Sequence, residues 1–274
     1  MQEEKIYRKV NYRSPIKYFI NTYIREYDLS KANISSLYYT GRITKEKYNE
    51  FMNIDKQSRE IRIGLMIQKD NSIYHSIQKG IIEAKRRLVE SNQLTDFDIL
   101  SIKNDAIFVI GKNLKYTKFP PYFEFKLKNT YNIYLQLLDL EIYYGDKFNT
   151  DGTLDTNIDV KGISDDKIPL HLNGILGFIC DICFKLQRDN IEDVLRYASN
   201  IYNKYINREL PKEFYREFDS FSVYMIYSTT HRFVLEDIDD SMISSVDIGR
   251  NLLILRDLMT IITDIYNHTM RRMG

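Results

Sequence analysis

The chain has 274 residues, of which 43% are hydrophobic and 28% charged, with a formal net charge of +1, five prolines and no tryptophan. That length suffices for one large core or two small ones, and the composition excludes a disordered or fibrous chain. MQEEKIYRKV at the start lacks the apolar core of a signal peptide, no uncharged apolar stretch approaches membrane-spanning length, and two cysteines make no disulfide framework. The expectation is an intracellular protein of the cytoplasm, with no membrane partner.

Residues 1–24 are basic and aromatic and suit a helix or an extended lead-in. IREYDLSKANISSLYYTG carries a strand-like approach to Asp28, then Ile34, Leu37 and Tyr38 at helical spacing, ended by Gly41. From Ile43 to Asp70 the pattern is helical, with Thr44 as N-cap and Lys47 on the polar face. A second helix follows, apolar at Ile77, Ile81, Ile82, Ala84 and Leu88. DILSIKNDAIFVIGK, from Asp98 to Lys112, reads as two apolar strands joined at Lys103-Asn104-Asp105, a hairpin with a carboxylate at its tip. The Tyr-rich segment from Tyr122 to Gly145 has strand character. Residues 146–168, rich in Asp, Gly, Asn and Thr, suit a loop and domain boundary. Beyond Pro169 the chain reads as helical, with one or two amphipathic helices over 170–209 and another from Asp247 to Arg272, closed by a terminal Gly. The fold class is α+β: an antiparallel sheet with packed helices in residues 1–145, a linker over 146–168, and a mostly helical region over 169–274.

The small net charge hides an asymmetry. Residues 1–130 hold 24 Lys and Arg against 15 Asp and Glu, an excess of nine, whereas the remainder holds 15 against 23. A basic first half suits a polyanion such as nucleic acid; scatter over a solvated surface is the plain alternative. Cys180 and Cys183 fall inside a helix-core pattern, GILGFICDICFKLQ, with neither the extra ligands for zinc nor the strand-to-helix setting of a redox pair.

Two aspartates carry the candidate chemistry. Asp28 ends a strand-like run and Asp105 sits at the hairpin tip; on neighbouring strands the two carboxylates would meet at one edge. Such a pair suits Mg²⁺, a hard cation that keeps positions open for phosphate oxygens, and paired Mg²⁺ ions stabilise both oxygens of a phosphoryl transfer. The competing account is ordinary turn and capping chemistry, the commoner use of Asp.

The order of these segments resembles the palm of template-dependent polymerases. EYDLSKANISSLYYTG is similar to motif A of family A DNA polymerases, with Asp28 as metal ligand, Ser30 as the following serine, and Asn33 in place of the usual glutamate. SIKNDAIFVI is similar to motif C of families A and B, with Asp105 in the metal-binding position, Lys103 where family B has another aspartate, and Ala106 where Ser or Glu is usual. KQSREIRIGLMIQKDNSIYH resembles motif B: Asn71, Ser72 and Tyr74 match the Asn-Ser-x-Tyr-Gly signature, and His75 replaces its Gly. KNTY and DVKGI resemble primer-strand contacts. The resemblance covers roughly residues 25–165. It implies a reduced, viral, Mg²⁺-dependent nucleotidyltransferase with a helical thumb. Asp28 and Asp105 would be its catalytic metal ligands for two Mg²⁺. Lys56, Arg59, Arg62, Lys69, Asn71 and Tyr74 would meet the nucleoside triphosphate, and Lys128, Tyr131, Lys161 and Gly162 the DNA or RNA. A larger replication or transcription complex is a further expected partner. A degenerate palm kept for nucleic-acid binding or assembly, and an α+β interaction protein, are the rival expectations.

Overall fold

The computed structural model describes residues 5–148, 150, 153–165, 167–216 and 245–273. The chain is an α+β protein that resolves into two compact units, residues 1–15 with 23–130 and residues 16–22 with 131–274. The strand order is β1 (Asn11–Arg13), β3 (Ile99–Lys103), β4 (Ala106–Ile110), β2 (Tyr18–Leu29), β6 (Phe123–Leu137), β7 (Leu140–Phe148), β8 (Leu154–Lys161), with β5 (Lys118–Phe119) on β6.

In the first unit a single turn of 3-10 helix, Ile6–Arg8, leads to β1 (Asn11–Arg13) and to β2 (Tyr18–Leu29). Four helices follow: α1 (Ala32–Tyr39), α2 (Lys45–Met52), α3 (Lys56–Lys69) and α4 (Ser72–Ser91). The chain then returns through β3 (Ile99–Lys103), β4 (Ala106–Ile110), β5 (Lys118–Phe119) and the first part of β6 (Phe123–Leu137). Because β4 is antiparallel to both β3 and β2, β3 runs parallel to β2 with β4 inserted between them. This is a split βαβ arrangement, with the helices as the crossover.

Periodicity explains which helix is buried. In α4, Ile73, Ile77, Ile81, Ala84 and Leu88 fall on one stripe and pack with Tyr27, Leu29, Ile102, Ile107 and Val109 from alternate strand positions. Helix α1 approaches α4 so closely that a Cβ built on Gly80 would lie 2.3 Å from the Cβ of Ser36. Only glycine permits that contact.

The expected helix from Ile43 to Asp70 is divided in two. Thr44 caps α2, accepting from the Lys47 amide at 3.3 Å, and the Asp55 carboxylate caps α3, accepting from Ser58 N at 2.9 Å. Asp70 then leaves helical geometry at φ −146° and ψ 101°, and its side chain accepts from Ser72 N at 2.9 Å. The motif B segment therefore spans a helix break, with Lys69 ending α3 and Asn71 capping α4.

The second unit contains the rest of β6, then β7 (Leu140–Phe148) and β8 (Leu154–Lys161). Helices α5 (Ile168–His171), α6 (Ile175–Leu186), α7 (Ile191–Ile206) and α8 (Ser245–Met273) complete it. Ile133, Leu135, Ile142 and Val160 pack with Leu176, Ile179, Ile182, Val194, Leu258 and Ile262 in its core. The segment expected as a linker, 146–168, holds β8 instead. It pairs with β7 from Glu141↔Lys161 to Phe148↔Leu154. Its polar composition is that of an edge strand, and edge strands carry charge to discourage further pairing. The helical expectation for the C-terminal part holds for the described residues; 217–244 and the terminal Gly274 lie outside them.

A candidate carboxylate site at the hairpin tip

Asp28 lies at the end of β2, opposite Ala106, the first residue of β4. Lys103 also pairs with Ala106, so Asn104 and Asp105 form the two-residue turn between β3 and β4. Asn104 holds φ at 53°, the left-handed conformation that asparagine tolerates well. Its amide donates to the carbonyl of Val10 at 2.7 Å, and the amide of Leu29 donates to the carbonyl of Asp105 at 3.2 Å. The turn is thus tied to the ends of two neighbouring segments. It brings Asp28 and Asp105 together as the sequence pattern led us to expect.

The electrostatics of Asp105 set it apart from other turn and cap carboxylates here. Burial, and then the charge of Asp28, push its carboxyl above the ordinary value, against the opposing charges of Lys128 and Lys85. At Asp55 and Asp70 the shift runs the other way, led by hydrogen bonds from Ser58 and Ser72. A capping carboxylate is stabilised by its donors. Asp105 is held where ionisation is costly.

Two buried charges surround the pair. Glu26, two residues before Asp28 and hence on the same strand face, is 1% exposed. It accepts from Lys128 Nζ at 3.1 Å and Asn129 Nδ2 at 2.8 Å. Lys85 of α4, also 1% exposed, donates to the carbonyl of Lys9 at 2.7 Å. Burial pushes its ammonium down to about 8, with Asp105 acting the other way. Sequence reading missed both groups. Alternation from Asp28 was a usable signal for Glu26. Lys85 lies four residues after Ile81 on the apolar stripe of α4, a position that a cation occupies only with partners.

The other expected site residues are dispersed. On α3, Arg59 shares the inward face with Ile63 four residues on, and both are buried. Arg62 points outward and pairs with Glu50 at 3.0 Å. Lys56, Arg59 and Arg62 therefore do not form one exposed stripe, because steps of three residues drift around a helix with 3.6 residues per turn. Lys56 and Lys69 are exposed. Asn71 caps α4, and Tyr74 is exposed, edge-on to His75 at 5.9 Å. In the second unit, Tyr131 OH donates to Asp159 at 3.3 Å and Lys161 pairs with the same carboxylate at 2.8 Å. Gly162, at φ 102°, lies against the turn between β6 and β7, where an added Cβ would be 2.8 Å from the carbonyl of Asp139.

Asp28 and Asp105 adjoin where the end of β2 meets the β3–β4 turn. Among the described residues no group of three or more His, Cys, Asp and Glu is arranged around one point. Cys180 and Cys183 lie on α6; burial pushes the thiol of Cys180 up to about 12 and raises that of Cys183 well above the ordinary thiol value. No described helix is long and apolar enough to cross a membrane.

Fold and site together define an α+β protein that presents an aspartate pair, flanked by buried Glu26 and Lys85, where β2 meets the β3–β4 turn. The chain belongs to the family of the bacteriophage PBS1 gene 130 protein, whose family profile matches residues 1–264. No curated protein matches the sequence. The expected viral character thus stands at the level of a phage protein family.

Proposed function

We propose that this chain is a Mg²⁺-dependent nucleotidyltransferase of the polymerase palm type, acting on DNA or RNA with nucleoside triphosphates in the host cytoplasm, within a larger replication or transcription complex. The observation that carries the reading is the placement of Asp28 and Asp105. They are adjacent at the end of a sheet, in the chain order of motifs A and C, and burial together with the charge of Asp28 raises Asp105. Two carboxylates held against each other in a half-buried setting fit a divalent cation, which would neutralise both and supply charge for the triphosphate. Asp28 and Asp105 would hold the cation, Glu26 would anchor Lys128 beside them, and the split βαβ arrangement would fix the hairpin tip against the end of β2.

A second reading, a palm kept for nucleic-acid binding or assembly without catalysis, draws on Lys128 and Lys85. Both cations act on Asp105 and so compete with a metal. Primer extension on DNA and RNA templates, with Mg²⁺ and then Mn²⁺, separates the two. Incorporation by the wild type that Asp105→Asn abolishes, with an unchanged fold, supports the enzyme. Nucleic-acid binding that weakens steeply with salt, but with no incorporation under either metal, supports the second reading. Neither binding nor incorporation would refute both.

A further inference from the structure

We infer that a pocket in the first unit, walled by Lys31, Lys118 and Lys126, binds the phosphate groups of a nucleoside triphosphate. The cavity has a volume of about 300 Å³ and begins at Ser30, two residues beyond Asp28. That is the low end of the range for small-molecule sites. The three lysines come from separate places in the sequence: the residue before α1, strand β5 and strand β6. All three are exposed, and all three act on one carboxylate, Glu124. Lys118 pairs with it at 3.0 Å, while Lys126 and Lys31 contribute through their charges. One glutamate among three ammonium groups leaves an excess of positive charge in a concave site, the condition that concentrates a polyanion.

Backbone geometry adds to the charge. Lys31 takes a left-handed φ of 55° as the N-cap of α1 and offers no side-chain cap, and the first turn of α1 contains no acidic residue. Ser30 and Ser35 line the pocket there, so the positive end of the helix dipole faces the same space. The lining is also aromatic. Tyr48 stacks on Tyr38 at 4.8 Å, Tyr122 packs on Tyr38 at 5.4 Å, and both Tyr48 and Tyr122 line the cavity. Lysines and aromatic rings lining one cavity suit a molecule with a polyphosphate at one end and a base at the other.

The pocket also adjoins the carboxylate site. Ser30 N donates to Glu124 O at 2.8 Å, and Glu26 pairs with Lys128. Two-residue alternation along β2 and β6 then sets Asp28 opposite Lys126 on one face. The residues differ from the α3 cations that sequence reading assigned to the triphosphate. Choosing a nucleoside triphosphate over any other polyphosphate rests on the proposed function; the anion site itself does not.

The test is calorimetric titration of the whole protein with ATP and, separately, with inorganic tripolyphosphate, in metal-free buffer. A Lys118→Glu/Lys126→Glu double variant should weaken both by roughly 10-fold or more, whereas Glu124→Gln, which removes the negative charge, should tighten both by a few fold. Binding unaltered by the lysine variant, or weakened by Glu124→Gln, overturns the site, as does failure of both probes to bind. Lysine-dependent binding of tripolyphosphate without binding of ATP overturns the choice of ligand and leaves the anion site. Lysine-dependent ATP binding in a protein that incorporates no nucleotide would leave the pocket standing and remove the enzymatic reading alone.

Discussion

Replacing Lys85 with methionine tests the electrostatics beneath the hairpin. The Lys85 ammonium is buried, donates to the carbonyl of Lys9 and feels the charge of Asp105. Burial lowers it from 10.5 to about 8, which corresponds to about 3 kcal/mol of differential stability. Below pH ~8 both folded and unfolded chains hold the proton, so the cost is fully present. As pH rises from about 8 towards 10.5, the unfolded chain keeps the proton and the folded one releases it, so stability increases across that window. Methionine fills similar space without titrating, but leaves the Lys9 carbonyl without this donor, a cost of about 1–2 kcal/mol that does not vary with pH. The stability of the wild type minus that of Lys85→Met should therefore rise by up to about 3 kcal/mol between pH 7 and pH 10.5. Urea unfolding of both proteins at several pH values, with EDTA present, measures the difference, and tyrosine titrations common to both cancel. A difference that stays flat within about 0.5 kcal/mol would refute a buried, perturbed ammonium at this position.

Asp105→Asn in metal-free buffer at neutral pH should melt higher than the wild type. Its folded carboxyl lies above the unfolded value, so the ionised form destabilises the fold above that window. Adding Mg²⁺ should then stabilise only the wild type, by about 1.4 kcal/mol when the free ion is at ten times its dissociation constant; equal shifts in both proteins would remove the metal from this site. Gly80→Ala forces α1 from α4, because its Cβ would meet Ser36 at 2.3 Å, and should cost about 2–3 kcal/mol in urea unfolding without loss of secondary structure. In the second unit, Arg188→Met removes a 2.5 Å ion pair from Asp146, whose side chain is 4% exposed. The expected loss is about 3 kcal/mol by urea unfolding, and a loss below about 0.5 kcal/mol would show that the pair contributes little.

What was legible in the sequence follows from how local the signal is. The β3–β4 hairpin, the strand into Asp28, the stripe of α4 and the Thr44 cap each announce themselves within a few residues, and all are present. The boundary at Asp70 was legible, since one helical pattern stops there and a second begins beyond it, and the Asp70 side chain accepts from Ser72 N. The break between α2 and α3 was hidden, because it rests on one local cap, the Asp55 carboxylate accepting from Ser58 N. Strand β8 was hidden by composition, since an edge strand with Asp155, Asn157 and Asp159 looks like a loop until its partner is known. The lysine pocket was illegible for a deeper reason. Lys31, Lys118 and Lys126 are each ordinary surface residues, and only the pairing of β5 and β6 and the placement of α1 give them a common target. Charge asymmetry marked the half of the chain that holds these lysines without marking the pocket.

The hairpin tip bears on the functional readings. At Asp55 and Asp70 local hydrogen bonds favour the ionised carboxylate, and at Asp105 its own amide acts the same way but is outweighed. Its shift runs the opposite way, from burial and from Asp28. A chain that needed only a tight turn there could carry Asn-Gly, with no charge to desolvate. Burial works against the charged forms of both Asp105 and Lys85, and the charge of Asp28 adds to the cost at Asp105. Such local conflict is what a site shaped for binding or chemistry looks like. The interaction-protein reading gives no reason for a carboxylate pair to be half-buried at a sheet end. A cation that takes up both charges does give one, and the Mg²⁺-dependent melting of wild type against Asp105→Asn decides whether that is the reason here.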